Sequence, residues 1–454
     1  MTEPTQSSKN ITVPIGTKTP AAAPSSTPLD QPIDPRSFPH HVESPMGSAH
    51  PPATIQNVAH LMTSYGIEAR YNVIKKKLDI TIPRLSGSPE NFPNVAINYM
   101  TSLATLNGIA TGQIANYVDA LGDSNQFNPV ADWITSKPWD GKDRLHDLFA
   151  TLTTQPDFSQ SLRDTLVHRW LLSATSAALL PAGFYGRGVL TLQGPQSIGK
   201  TSWFSRLIAD RMLRDDALLL GHHLDAGNKD SLVTAVSHWI VEIGELDSSF
   251  KKDVARLKGF ITGKTDKVRR PYAKADSEYQ RRTVFCATVN EENFLIDQTG
   301  NTRWWTIPVV EIDYKHDVDM QQVFAQLAVD IEAGAQWWLT REEELQLEAQ
   351  NKNHRAVSSI EERLLAILDF QRPQERWVTR SATQMVQEIG ISNPSNPQCR
   401  ECGRILREHF GPPKKIQGIM KWRIPLKDHG LSPEHTWNPT RSVTAQDDDD
   451  DGIY

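Results

Sequence analysis

The chain has 454 residues, 38% of them hydrophobic, and a formal net charge of −6. That length leaves room for about three domains, and no run reaches the roughly 18 apolar residues of a membrane span, so no membrane partner is expected. Three cysteines point to a reducing compartment rather than a disulfide framework, and no apolar signal region opens the chain.

Proline, serine and threonine supply 24 of residues 1–53, with no Trp or Tyr. Such a segment cannot bury enough apolar surface to offset its ordering entropy, so 1–53 is expected to be a disordered tail. A helix is predicted next, with Ile55, Val58, Leu61, Met62 and Tyr65 at helical spacing, Thr54 as its cap and Gly66 as its stop. Leu78, Ile80 and Ile82 alternate as in a strand, and Asn91 to Leu121 reads as helical with a break near Gly108. Together these make a small α+β or helical N-terminal domain over 54–150. Its segment Trp139-Asp140-Gly141-Lys142-Asp143-Arg144-Leu145 reads as a loop leading into a helix.

A second domain is expected over 151–345. It opens with a helix from Phe158 to Leu180, carrying Leu162, Leu166, Trp170, Ala174 and Ala177 on one side and Pro181 at its end. Val189, Leu190 and Leu192 then suit a strand buried on both faces of a parallel sheet. Gly194-Pro195-Gln196-Ser197-Ile198-Gly199-Lys200-Thr201 follows and fits G-x-x-x-x-G-K-[ST]. Ser202 to Arg211 reads as a helix with Trp203 or Phe204, Leu207 and Ile208 on one side. Strand, glycine loop and helix are the context this motif needs. The glycines let backbone N–H groups surround phosphate oxygens, and the helix adds its positive end. Lys200 would reach the β- and γ-phosphates, and the Thr201 hydroxyl would bind Mg²⁺. ATP and Mg²⁺ are therefore the expected ligands, with residues 194–201 as the binding loop.

Such a site needs an acid at the end of a neighbouring strand. The apolar run His238 to Ile243 is followed by Gly244-Glu245, and Glu245 is the expected water-activating base. Glu242, inside the run, has two readings, a second acid on the Mg²⁺ side or a solvated edge position. Periodicity does not decide between them.

Lys251 to Arg282 holds eleven Lys or Arg against four acids, a local +7 that suits a polyanion. Lys264, Lys267, Arg269, Arg270 and Lys274 are the expected DNA contacts, with Tyr272 stacking on a base. The other reading is a solvated face whose arginines reach the ATP of a neighbouring subunit. Thr283 to Val289 is a further strand, with Cys286 as a small buried hydrophobe. It ends at Asn290, placed to sense the γ-phosphate or orient water. Arg303 precedes another apolar strand and is positioned as an arginine finger.

Met320 to Gln350 reads as helical. Three helices and a strand pair then suggest a winged-helix-like domain over 356–427. Its recognition helix, 399–410, carries Arg400, Arg404, Arg407 and His409; a protein-docking winged helix is the alternative. Cys399-x-x-Cys402 has only His409 near it, short of the four ligands of structural zinc, so no metal site is expected there. Residues 428–454 form a flexible acidic tail ending in Asp447 to Asp451 and Gly452-Ile453-Tyr454. Such a tail is solvated, recruits replication proteins, or mimics DNA in the protein's own basic channel.

Over about 125–340 these features resemble the virulence-associated protein E (VapE/VirE) family of phages and mobile elements. The resemblance rests on Trp139-Asp140-Gly141 with Arg144-Leu145, the loop 194–201, Lys229-Asp230, and Glu242-Ile243-Gly244-Glu245-Leu246. It continues through Asp266 with Arg269, Pro271 and Tyr272, and Gly300-Asn301 with Arg303-Trp304-Trp305. It implies an α/β, P-loop, AAA+-like domain similar to hexameric superfamily-three viral helicases, with ATP sites shared around a ring. It makes Glu245 the second Walker B acid, Asn290 sensor 1, Arg303 a finger acting in trans, and 264–274 a hairpin facing DNA. Two departures stand out. The family usually has Gly at Ser197, which is expected to fit with a negative φ. It often has two adjacent basic residues where Thr302-Arg303 stands, with Arg269 as the substitute finger. No primase-type metal cluster lies upstream, so polymerase activity is not expected. The implied function is an ATP-dependent DNA helicase or replication-initiator ATPase, homo-hexameric, in the bacterial host cytoplasm. The alternatives are an ATP-switched DNA-binding or assembly protein without unwinding, and an antiphage interference ATPase.

Overall fold

A computed structural model describes residues 27–85, 91–181, 184–244, 256–268, 277–290, 301–351 and 358–427. The chain divides into two units, Met1–Arg355 and Ala356–Tyr454. Order begins well before residue 54. Ile33 and Phe38 are buried against the core of Val58, Leu61 and Tyr65. The backbone around them is tied down by Tyr65 Oη donating to Gln31 O, Ile33 N to Asn107 Oδ1, and His40 N to Asn57 Oδ1. Residues 27–53 therefore correct the expectation of a tail running to 53. Averaged composition hid two anchoring side chains and a domain surface that supplies hydrogen-bond partners. Residues 1–26 lie outside the described set.

A short hairpin, β1 (Val42–Glu43) with β2 (Ala49–His50), leads into α1 (Ile55–Ser64). Thr54 Oγ1 accepts from Asn57 N to cap it, and Gly66 leaves it at φ +68. Then come β3 (Glu68–Asn72), β4 (Lys77–Thr81), α2 (Phe92–Leu106), α3 (Ile114–Asp123) and β5 (Gln126–Phe127). β3 pairs antiparallel with β4 and parallel with β5.

From residue 129 the chain joins a different core. α4 (Pro129–Ile134), α5 (Leu145–Ala150), β6 (Leu152–Thr154) and α6 (Gln160–Leu179) bury Val130, Leu148 and Leu152 with Leu166 and Trp170. The boundary expected at 150 thus falls near 128 in packing terms, and both layers belong to one unit. α6 is buried on nearly every side, where the sequence suggested one. Its Trp170 Nε1 donates to Phe285 O, and Trp239 Nε1 donates to Ala174 O.

The sheet is built from β7 (Val189–Gln193), α7 (Lys200–Arg206), α8 (Arg211–Ala217), β8 (Leu218–His222), α9 (Lys229–Val236) and β9 (Ile240–Ile243). It is completed by β12 (Val284–Val289), β13 (Trp304–Ile312), α10 (Met320–Glu332) and α11 (Arg341–Asn351). Its order is β6-β13-β7-β12-β9-β8. β13, β7, β12, β9 and β8 run parallel, and β6 is the antiparallel edge. Numbered along the chain, the parallel strands lie in the order 5-1-4-3-2.

Between β9 and β12, β10 (Thr265–Val268) pairs antiparallel with β11 (Ser277–Gln280). Asp266 and Arg281 form a buried ion pair, 2.6 Å apart, at its foot. Arg282 donates to Ala177 O and Ala178 O. With Lys258, which is also buried, three of the eleven basic residues are thus turned away from solvent, and the outward positive field is smaller than the sequence count implies. Lys264 is exposed, its ammonium 5.3 Å from the Tyr185 ring centre. The Lys267 side chain and Arg269, Arg270, Tyr272 and Lys274 lie outside the described residues.

The Trp139–Leu145 segment is a clamp. Arg144 donates to both Asp140 carboxylate oxygens, at 2.8 and 2.6 Å, and Gly141 turns at φ +82. From α10, Gln322 Oε1 accepts from Asp140 N, Gln322 Nε2 donates to Pro138 O, and Gln326 Nε2 donates to Asp143 Oδ1.

The C-terminal unit runs α12 (Ser359–Ile367), β14 (Val378–Ser381), α13 (Ala382–Glu388), α14 (Asn396–Phe410), β15 (Lys414–Ile416), β16 (Ile419–Ile424). β14, missed because Val-Thr-Arg-Ser is mostly polar, pairs with β16, which also pairs with β15. Ile360, Leu364, Met385, Leu406 and Trp422 form the core. On α14, Arg400 and Arg407 are exposed and Arg404 is half-buried. Cys402 is buried, and burial pushes its thiol up to about 12. No helix among the described residues is long and apolar enough to cross a membrane.

Lys76 links the N-terminal layer to the end of α9, buried and donating to Val236 O. Burial pulls its ammonium from 10.5 to about 8, with Asp266 opposing and Arg281 and Arg282 adding to the drop. The unfolded chain therefore binds more protons between those values, and stability should rise with pH from about 8 to 10. The gain is at most on the order of 3 kcal/mol. Urea-unfolding midpoints measured from pH 7 to 10 should show this rise, and Lys76→Met should flatten it.

Candidate functional site

The loop 194–199 leaves β7 where the parallel strands end, the end of an open α/β sheet at which ligands bind. Gly194 N donates to Val289 O, tying the loop entrance to β12. A Cβ at Gly194 would lie 2.2 Å from Val309 O, a backbone atom that cannot swing away. Gly199 turns at φ +97 to open α7, and a Cβ there would meet the Tyr314 ring at 2.2 Å. Ser197 sits at φ +68, which corrects the expected negative angle. The loop reverses twice within three residues, and Ser197 takes a left-handed conformation that favours glycine.

Lys200 is buried, and its ammonium donates to Gly194 O (2.8 Å), Pro195 O (2.7 Å) and Asn290 Oδ1 (2.8 Å). Burial lowers its pKa, and the nearby Glu242 charge acts against that. Asn290 directly follows β12, so the expected sensor already touches the expected phosphate-binding lysine.

Glu242 is 1% exposed, in a strand flanked by β12 and β8, which removes the solvated-edge reading. Its Oε1 accepts from Thr201 Oγ1 at 2.7 Å and Thr288 Oγ1 at 2.8 Å, and its Oε2 accepts from Gly221 N at 3.0 Å. The register of β8 slips at this point, and Gly221 at φ +64 turns its N–H inward. The Thr201 hydroxyl and the Glu242 carboxylate are adjacent hard oxygen donors beside the loop, and Thr201 is exposed. That donor set fits Mg²⁺, which takes one or two protein oxygens together with substrate phosphates. Thr288 and the Gly221 N–H were not anticipated. A threonine inside an apolar strand and a glycine in a leucine run carry no motif, and only strand adjacency gives them a role.

Glu245 lies outside the described residues. Arg303 is not brought to this loop. β13 pairs Trp304 with Val189 and Pro308 with Gln193, so Arg303 sits at the opposite end of the sheet. It borders a cavity of about 240 Å³ with Arg187, Thr302, Trp305, Trp338 and Glu344. Among the described residues its Nε, though buried, has no hydrogen-bond partner.

A left-handed serine costs about 1 kcal/mol relative to glycine. Ser197→Gly should therefore raise the thermal midpoint of the nucleotide-free protein, by up to about 1 kcal/mol of stability, and Ser197→Val should lower it. Thermal unfolding of the three proteins checks this.

A family model described as virulence-associated protein E-like domain matches residues 134–356. No curated protein matches the chain. Among solved structures, the apo structure of the NrS-1 C-terminal region (305–718) is 14% identical. It covers 82% of this chain and 98% of that one, with a TM-score of 0.39. The A form apo structure of the same region is 12% identical over 81% and 98%, with a TM-score of 0.41. The matched span encloses the Trp139–Leu145 clamp, the glycine loop, Glu242, Asn290 and the strand that opens at Trp304, so residues 134–356 form a virulence-associated protein E-like domain.

Proposed function

We propose that this chain is a Mg²⁺-dependent ATPase acting on DNA as a ring-forming helicase or replication initiator of a phage or mobile genetic element. One observation carries the reading. Lys200, Thr201, Glu242 and Asn290 converge at the C-terminal ends of three adjacent parallel strands. The order 5-1-4-3-2 supports an AAA+-like arrangement, because β12 separates the loop strand from the acid strand and delivers Asn290 between them.

In this reading Lys200 leaves its loop carbonyls and Asn290 for the β- and γ-phosphates. Thr201 and Glu242 would hold Mg²⁺, which would offset phosphate charge. Asn290, freed from the ammonium, orients the attacking water, and Glu245 accepts its proton. The new oxygen–phosphorus bond forms as the bond to the departing ADP oxygen breaks.

Level with Gly188 in the β13–β7 register, Arg303 lies about 20 Å along the strand direction from Gly194, beyond the reach of its own side chain. That distance supports a charge delivered to a neighbouring subunit. The β10–β11 pair and Lys264 support a hairpin facing DNA. The helix-strand-helix-helix-strand-strand order of the C-terminal unit supports a winged helix with α14 as its reading helix. That unit also favours the second reading, an ATP-switched assembly protein that marks a DNA site without unwinding it. Exposed Arg400, Arg407, Lys414 and Lys415 give it a basic surface of its own.

ATPase rates with and without single-stranded DNA, on the wild type and Glu245→Gln, separate the two. The motor reading expects strong stimulation by DNA that the substitution abolishes, together with strand displacement on a forked substrate. Hydrolysis indifferent to DNA favours the switch. Sharing of ATP sites has its own check. Lys200→Ala and Arg303→Ala should each be inactive alone and should regain activity when mixed, because each supplies what the other lacks. Absence of any recovery counts against Arg303 acting between subunits.

A further inference from the structure

The reacting end of the loop is marked by Asn290 and Glu242, both on the β12–β9 side of β7. The other flank belongs to β13, which neighbours β7 on the opposite side. Neighbouring strands lie about 4.8 Å apart, so the two flanks are about 10 Å apart. A nucleotide whose γ-phosphate meets Lys200 and Asn290 therefore runs its sugar and base towards the end of β13.

Tyr314 stands there, two residues past β13. Its ring lies against Gly199, where a Cβ would come within 2.2 Å of Cδ1. The residue is 36% exposed, and its ring has a cation for company, Lys315 Nζ at 5.7 Å from the centroid. The segment is held on both sides of the ring. Asp313 N donates to Thr151 O, Lys315 N donates to Asp313 Oδ1, and Arg206 Nε, from α7, donates to His316 O. An aromatic face fixed in place beside a phosphate-binding turn is preorganised for stacking on a base.

The geometry points to Tyr314 as the platform on which the base of the bound nucleotide stacks, the base displacing the Lys315 ammonium from the ring. This rests on the nucleotide reading of the loop and adds the residue that holds the nucleoside end. Stacking contributes about 1–3 kcal/mol per base, so losing it should weaken binding by roughly tenfold or more.

Calorimetric titration of the full chain with ATP and with inorganic tripolyphosphate, in the presence of Mg²⁺, tests it. The comparison uses wild type, Tyr314→Ala and Tyr314→Phe. The expected result is ATP affinity down about tenfold or more in Tyr314→Ala, tripolyphosphate affinity unchanged, and Tyr314→Phe close to wild type for both. Unchanged ATP affinity in Tyr314→Ala overturns the proposal. So does an equal loss for ATP and tripolyphosphate, which would mean that the ring only packs against Gly199. Wild type binding neither ligand would instead sink the nucleotide reading itself, and the platform with it.

Discussion

Glu242 brings a carboxylate into the middle of a parallel sheet, where water hardly reaches it. An ion in that position is tolerable only if its oxygens are filled. They are filled by three donors from three elements: Thr201 at the start of α7, Thr288 in β12, and the Gly221 backbone in β8. Any relative shift of α7, β12 or β8 would strand that charge. The bonds that hold the sheet ends in register therefore also hold Thr201 and the end of β12 in place. Site geometry and local stability depend on one side chain.

Close backbone approach does the rest. Gly194 lies against the Val309 carbonyl, Gly244 against Gly221, and Gly188 under the Trp305 ring, each too near for a Cβ. These contacts draw β13, β7, β9 and β8 together at one point each, and they explain why the loop follows its strand without slack. Ser197 is the exception, a side chain carried at a positive φ inside a loop that must turn sharply. The strain is local, and the backbone bonds at Gly194 and α7 over-determine the turn.

Several residues on which the resemblance to the family rests serve packing. Asp140 and Arg144 grip each other and, with Gln322 and Gln326, fasten the 138–143 loop to α10. Trp304 and Trp305 are fully buried. Asp266, in the most basic stretch of the chain, is matched with Arg281 inside the protein. The positive field is correspondingly narrower, and the N-terminal layer, through Lys76, is buried against the same region.

Some of this was legible in the sequence because the physics is local. A charge-free apolar run, two glycines at fixed spacing and a following helix specify a strand–loop–helix turn whatever lies around them, and α1, α6 and β12 announce themselves by periodicity and caps. Order in residues 27–53 escaped notice because its two anchors, Ile33 and Phe38, find their partners across the N-terminal domain rather than nearby in the chain. Nor could spacing choose between a solvated and a buried Glu242, since strand alternation does not say which strands stand on either side. Only the tertiary order β7-β12-β9-β8 decided that, and with it the meeting of Asn290 and Lys200, ninety positions apart, and the separation of Arg303 from its own loop. The sequence by itself determined which chemical groups are present and where the chain turns. The pairing of parallel strands, which joins residues distant in the chain through backbone bonds that carry no side-chain signature, determined which of those groups face one another.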